Sequence, residues 1–163
     1  MTETEPAGSV GKTFRQRIRP CRQLSRARCR LEIERSWYQR VMPSTADLLD
    51  ANLHRVFGNR DAASRSAAIR EVFAPDAAFI DPDETVVGWE AVEAKAAGLI
   101  DPTPESFVFA EYGPRYIDGD FGALAWSFGP AGSPVARGID LITVVDGRIS
   151  ELRTVLVDAT DPQ

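Results

Sequence analysis

The chain has 163 residues, 44% of them hydrophobic, with 19 Lys+Arg against 24 Asp+Glu and a net charge of −5, which suits one compact domain with a real core. It excludes several classes: no apolar run approaches the ~20 residues of a membrane helix, two cysteines in a polar segment make neither a disulfide framework nor a zinc site, and the lone histidine, His54, argues against a multi-histidine metal centre. The resulting expectation is a soluble, cytoplasmic protein with no membrane partner and no bound metal.

The charge is divided unevenly. Residues 1–42 carry 10 Lys+Arg and 4 Asp+Glu, for +6, and residues 43–163 carry 9 and 20, for −11. From Pro6 through Leu31 there is no acidic residue and little sustained apolar periodicity, so a disordered basic leader over 1–43 is expected, followed by a domain over 44–158 and a short tail over 159–163. Three readings of the leader stay open: a segment upstream of the true start at Met42, an Arg-rich targeting segment, or a nucleic-acid arm. The last is disfavoured, because Phe14 alone is an interleaved aromatic before Trp37 and the acidic body would repel phosphates.

Within the body, Ser44 with Asp47 three residues on reads as a helix N-cap, and Leu49, Leu53, Val56 and Phe57 form one apolar stripe that ends at Gly58-Asn59. A second helix is expected near Ala62–Phe73, stopping at Pro75. Ala77 to Asp81 then alternates as a strand, and Pro82 removes a donor and biases Asp81 to extended backbone, which leaves this carboxylate at a strand end. After a short run Thr85–Val87, Gly88 opens a third helix with Trp89, Val92, Ala96 and Leu99 at helical spacing. Four strands follow, Phe107–Ile117, Phe121–Phe128, Val135–Val145 and Arg148–Val157, separated by turn residues that include Asp118-Gly119-Asp120 and Asp146-Gly147. The order predicts an α+β fold, with three N-terminal helices packed on a curved, mostly antiparallel sheet that leaves a cavity open at one end.

That order, with FAPDAAFIDPDETVVGWEAV and the closing GIDLITVVDGRISELRTVLVD, resembles the SnoaL-like branch of the nuclear transport factor 2-like superfamily, over about residues 44–158. The resemblance implies a cone-shaped α+β barrel, and functions that range from ketosteroid isomerases and polyketide cyclases to non-catalytic ligand-binding or dimerising domains. It also implies roles for particular residues. Asp81, in FIDPD, falls where ketosteroid isomerases hold an aspartate general base, and desolvation in an apolar pocket would raise its pKa and strengthen it as a base; Asp before Pro is equally the pattern of a turn cap. Asp140, in GIDLITVV, falls where such proteins place a second acid.

Other positions stay open between function and packing. Ketosteroid isomerases use a first-helix tyrosine that this chain lacks, and Leu53 or His54 falls near its position; an inward neutral imidazole would donate one hydrogen bond, although a lone helix histidine is also an ordinary packing residue. If Asp146-Gly147 is a two-residue hairpin, Val145 pairs with Arg148 and Asp140 with Arg153, which makes either a structural ion pair or a seat for an acidic ligand. Phe79, Leu124 and Trp126 are candidate ligand contacts. Apolar residues on both faces of the late strands, with Ile139, Leu141 and Val145 on one and Ile142, Val144, Ile149 and Val155 on the other, predict a homodimer through the outer sheet face. Two functions therefore compete: a cofactor-independent isomerase or cyclase acting on a small hydrophobic carbonyl compound, and a non-catalytic ligand-binding or dimerisation domain.

Overall fold

Ser44 starts the fold with a reciprocal cap: its side chain accepts from the Asp47 N–H, and Asp47 accepts from the Ser44 N–H at 2.9 Å. The computed structural model describes residues 42–157. The leader and tail expected from the sequence, apart from Met42 and Pro43, lie outside the described residues.

Helix α1 (Thr45–Ala51) runs without a break into a π-helical segment, Asn52–Phe57. The expected stripe Leu49, Leu53, Val56 and Phe57 is buried, and so is Asn52. Gly58 ends the segment because a Cβ there would lie 2.9 Å from the Leu53 carbonyl oxygen. Helix α2 (Ala62–Val72) is capped by Asp61, which accepts from the Ser64 N–H at 2.8 Å. It stops at Val72, and strand β1 (Phe73–Ile80) begins at once, four residues before the expected Ala77. Pro75 sits inside β1, where the register against β6 shifts between Phe73 and Ala78, so the missing donor is absorbed by an irregularity.

Strand β2 (Thr85–Val87) returns antiparallel to β1 and leads through Gly88, at φ 89°, into helix α3 (Trp89–Ile100). Trp89 anchors this helix by donating its indole N–H to the Phe73 carbonyl at 3.0 Å, while Val92, Ala96 and Ile100 are buried. The C-terminal end of α3 is held from the side by Arg60. Its guanidinium donates to the carbonyls of Ile100, Thr103, Pro104 and Phe107, fixing the connection into β3.

Strands β3 (Phe107–Asp118), β4 (Phe121–Pro130), β5 (Ala136–Val145) and β6 (Arg148–Val157) form the expected antiparallel meander. The six-stranded sheet has the order β2-β1-β6-β5-β4-β3, with β1 parallel to β6. Three helices pack on this curved sheet, which stays open because β2 and β3 are free edges; the cone does not close into a barrel. Among the described residues no helix is long and apolar enough to cross a membrane.

One register detail decides what faces the core. The β5–β6 turn at Asp146 (φ 50°) and Gly147 (φ 71°) is the expected two-residue hairpin, and Val145 does pair with Arg148. Between Thr143 and Val144 the ladder shifts by one residue, leaving Ser150 extra on β6, with its hydroxyl donating to the Thr143 carbonyl at 3.1 Å. Beyond this bulge Asp140 pairs with Thr154 and Leu141 with Arg153, so the expected Asp140–Arg153 ion pair does not form. A one-residue slip exchanges the faces of a strand. Val155, expected with the inner residues, therefore pairs with Ile139 and is exposed, while Ile142, Val144, Ile149 and Leu152 fill the core.

Candidate functional site

Between the helices and the concave face of the sheet lies a partly open cavity of about 210 Å³. Its walls include Phe57, Phe79, Phe109, Trp126 and Phe128, and exposed residues Pro82, Asp83, Leu99 and Leu156 also border it. The rings interlock. Phe57 meets Phe79 edge-on at 5.5 Å, Phe109 meets Trp126 edge-on at 5.3 Å, and Phe109 stacks on Phe128 at 4.4 Å.

Asp140 belongs to this wall and is 5% exposed. Strand β5 presents it inward, and three elements supply donors to it. The Asn52 amide donates to Oδ2 at 2.9 Å, the Trp126 indole to Oδ1 at 2.9 Å, and the Thr154 hydroxyl to Oδ1 at 2.7 Å. Each donor has a structural reason to be there. The π turn sets Asn52 among the buried residues of the first helix, the bulge turns Thr154 inward, and Gly138 makes room for the indole, since a Cβ there would lie 2.5 Å from Trp126 Cζ2. Burial pushes the Asp140 carboxyl above its ordinary pKa, and the hydrogen bonds from Thr154, Trp126 and Asn52 offset this only in part.

Asp81 lines the same cavity in a different environment. Its Oδ1 accepts the backbone N–H groups of Asp83 (3.0 Å) and Glu84 (2.9 Å), an Asx turn closing the FIDPDE segment, and its Oδ2 lies 2.8 Å from Lys95 Nζ. Partial burial alone would raise its pKa. The Lys95 ammonium and the two backbone donors outweigh that and hold the carboxyl below its ordinary range, the reverse of the direction expected from the sequence.

The other candidates divide. Phe79 and Trp126 line the cavity with the two aspartates; Leu124 is buried in the core, outside the cavity wall. His54 does not face the cavity: its side chain is half exposed, with Nε2 3.9 Å from both Asp50 and Glu111. Arg153, displaced by the bulge, is exposed on the outer face and pairs with Glu151 at 3.3 Å. Tyr112 and Tyr116, which flank the Gly113-Pro114 irregularity of β3, are also exposed. Asp50, His54 and Glu111 bring potential metal-ligating atoms within 4.8 Å of one another. Arg115 already occupies that group, donating to Asp50 at 3.0 Å and to Glu111, so a guanidinium stands where an ion would. Sequence reasoning passed over Asn52, Thr154 and Lys95. A signal existed for Asn52, which lies three residues from Leu49 and four from Val56 and so interrupts the apolar stripe with a polar group.

The family model described as the SnoaL-like domain matches residues 51–152, more than half of the chain. The chain belongs to this family. The SnoaL-like domain is similar to solved structures that share its fold. They include a candidate isomerase of the SnoaL-like family from Agrobacterium tumefaciens (21% identity, TM-score 0.62, covering 68% of this chain and 94% of that one). A candidate polyketide cyclase from Sinorhizobium meliloti is 24% identical, with TM-score 0.54 over 67% of this chain and 94% of that one. A candidate ketosteroid isomerase from Kribbella flavida is 17% identical, with TM-score 0.55 over 71% and 79%. No curated protein matches the sequence.

The two aspartates predict opposite pH dependences of stability. Asp140 has a raised folded pKa, so its contribution is fully present below the unfolded value of about 4 and is lost as pH rises through the folded pKa. Asp81 has a lowered folded pKa, so its contribution is present above about 4 and is lost as pH falls through the folded value. In urea denaturation across pH 3–8, Asp81→Asn should cost about 1–3 kcal/mol at neutral pH and less in acid. Asp140→Asn should gain on the wild type as pH rises. Parallel pH curves for both variants and the wild type would contradict these assignments.

Proposed function

We propose that this SnoaL-like domain is a cofactor-independent isomerase or cyclase, with Asp140 as the group that takes and returns a proton on a small hydrophobic carbonyl compound. The observation that carries this reading is the environment of Asp140: a buried carboxyl on an apolar cavity wall, served by three neutral donors and by no cation among the described residues. A carboxyl whose pKa is raised by desolvation is a stronger base toward a weakly acidic carbon, and also an acid of useful strength once protonated.

The chemistry is a proton shift. Asp140 removes a proton from the carbon beside the carbonyl, the C–H electron pair passes into the enolate, and the proton returns from Asp140 to another carbon of the conjugated system. Protonation uses the one acceptor position that Asn52, Trp126 and Thr154 leave free, so all three donors keep their partners. Asp81 suits general-base work less well, because Lys95 and the Asx turn stabilise its ionised form and weaken it as a base. In this reading it shapes the cavity wall and pins the β1–β2 turn to α3. The test is α-proton exchange of a small cyclic enone in D₂O, followed by NMR. Asp140→Asn should lower the enzymatic rate by on the order of hundred-fold or more with folding intact, and Asp81→Asn by less than about tenfold. The opposite ranking would return the base to Asp81, and no exchange above buffer with the wild type would leave a ligand-binding domain.

A homodimer through the outer sheet face belongs to the same proposal. Tyr116, Phe121, Leu141, Val145 and Val155 are all more than 40% exposed on strands whose other face is core, an apolar surface that a second copy would cover. Light scattering should give about twice the 17.9 kDa chain mass, and Leu141→Glu should reduce it to the single mass; a monomer at micromolar wild-type concentration would contradict the dimer.

A further inference from the structure

We infer that the molecule taken up by the Asp140 cavity is compact, not anionic and singly polar: a monocyclic or short-chain ketone or enone, with neither the bulk of a fused-ring steroid nor an anionic group. This deepens the reading of the cavity given above and rests on it. Three independent features carry the inference.

The first is size. An apolar cavity of ~150 Å³ takes benzene, and drug-sized ligands occupy ~300 Å³ or more. At about 210 Å³ the partly open cavity holds roughly eight non-hydrogen atoms by proportion. The walls resist widening. Phe109 is clasped between Trp126 and Phe128, Phe57 stands edge-on to Phe79 and Phe109, and the Trp126 indole is held by Asp140 on one side and packed on Gly138 on another. Moving one ring disturbs the rest.

The second is charge. Among the described residues three carboxylates, Asp81, Asp83 and Asp140, border the cavity, and no Lys, Arg or His does. Lys95 is committed to Asp81 and Glu84, at 2.8 and 2.9 Å. An anion entering here would be desolvated beside like charge with no cation to meet it.

The third is hydrogen-bond capacity. A carboxylate offers about four acceptor positions, and three on Asp140 are already taken. What remains for a ligand is one acceptor position, or one O–H donor when the group is protonated, and a single carbonyl oxygen matches that donor.

The experiment is isothermal titration calorimetry of the full chain with three probes: 3-methylcyclohex-2-enone, 3-oxocyclohexanecarboxylate and androst-5-ene-3,17-dione. The Trp126 indole N–H resonance reports whether binding occurs in the cavity. The expected result is that the enone binds at least about tenfold more tightly than each of the other two and shifts the Trp126 resonance. Phe128→Ala, which enlarges the cavity, should narrow the difference between the enone and the steroid. Equal or tighter binding of the steroid or the carboxylate by the wild type would overturn the inference, as would no enone binding at millimolar concentration or binding that leaves the Trp126 resonance unmoved. α-Proton exchange on the same enone is read separately. Binding without exchange would refute the catalytic reading and leave the ligand class standing.

Discussion

The buried Asp140 carboxyl is the constraint on which the rest of this site depends. It joins the first helix through Asn52, strand β4 through Trp126 and strand β6 through Thr154. A carboxyl removed from water without such donors would be strongly destabilising, and each donor lost would leave a polar group buried at a cost of about 1–3 kcal/mol. Several local irregularities of the chain serve that one group. The π segment sets Asn52 inward, the β5–β6 bulge substitutes Thr154 for Arg153 at the inner position, and Gly138 admits the indole. Such departures from regular geometry are frequent where function is located.

The two carboxyls on the cavity wall divide their roles by environment. Asp81 looks the better base in the sequence because it ends a strand before a proline, but its immediate partners are an ammonium and two backbone N–H groups, all of which favour the charge. Asp140 has only neutral partners and is buried, which disfavours the charge. Pairs of titratable groups pushed apart in this way mark acid–base assignments in enzymes. The proposed proton-handling role accordingly falls to Asp140, favoured by its surroundings, rather than to Asp81, favoured by its motif.

Much of the fold was readable because its signals are local. The turn residues delimited the four late strands to within two residues, the Asp146-Gly147 hairpin paired Val145 with Arg148 as its geometry requires, and the Ser44 and Gly88 boundaries opened helices as capping chemistry predicts. What failed to show was non-local. The Ser150 bulge leaves no composition signal, yet it reverses the faces of Arg153, Thr154 and Val155 and so removes the Asp140–Arg153 pair. Lys95 lies on α3, beyond the turn that Asp81 closes, and only tertiary packing brings the two within 2.8 Å. His54 follows the apolar Leu53 on the helix and turns outward to Asp50 and Glu111, while the polar residue that does enter the core, Asn52, is hidden in the stripe that predicted the helix.

The central claim is that Asp140, not Asp81, is the cavity carboxyl whose pKa is raised above its ordinary value. Titration of the side-chain carboxyl ¹³C resonances in aspartate-labelled protein measures this directly, with Asp140 and Asp81 assigned by Asn substitution. The account predicts that Asp140 titrates above the ordinary aspartate value of about 4 and Asp81 below it. An Asp140 midpoint at or below that value, with Asp81 above it, would contradict the account and return the base to the strand end.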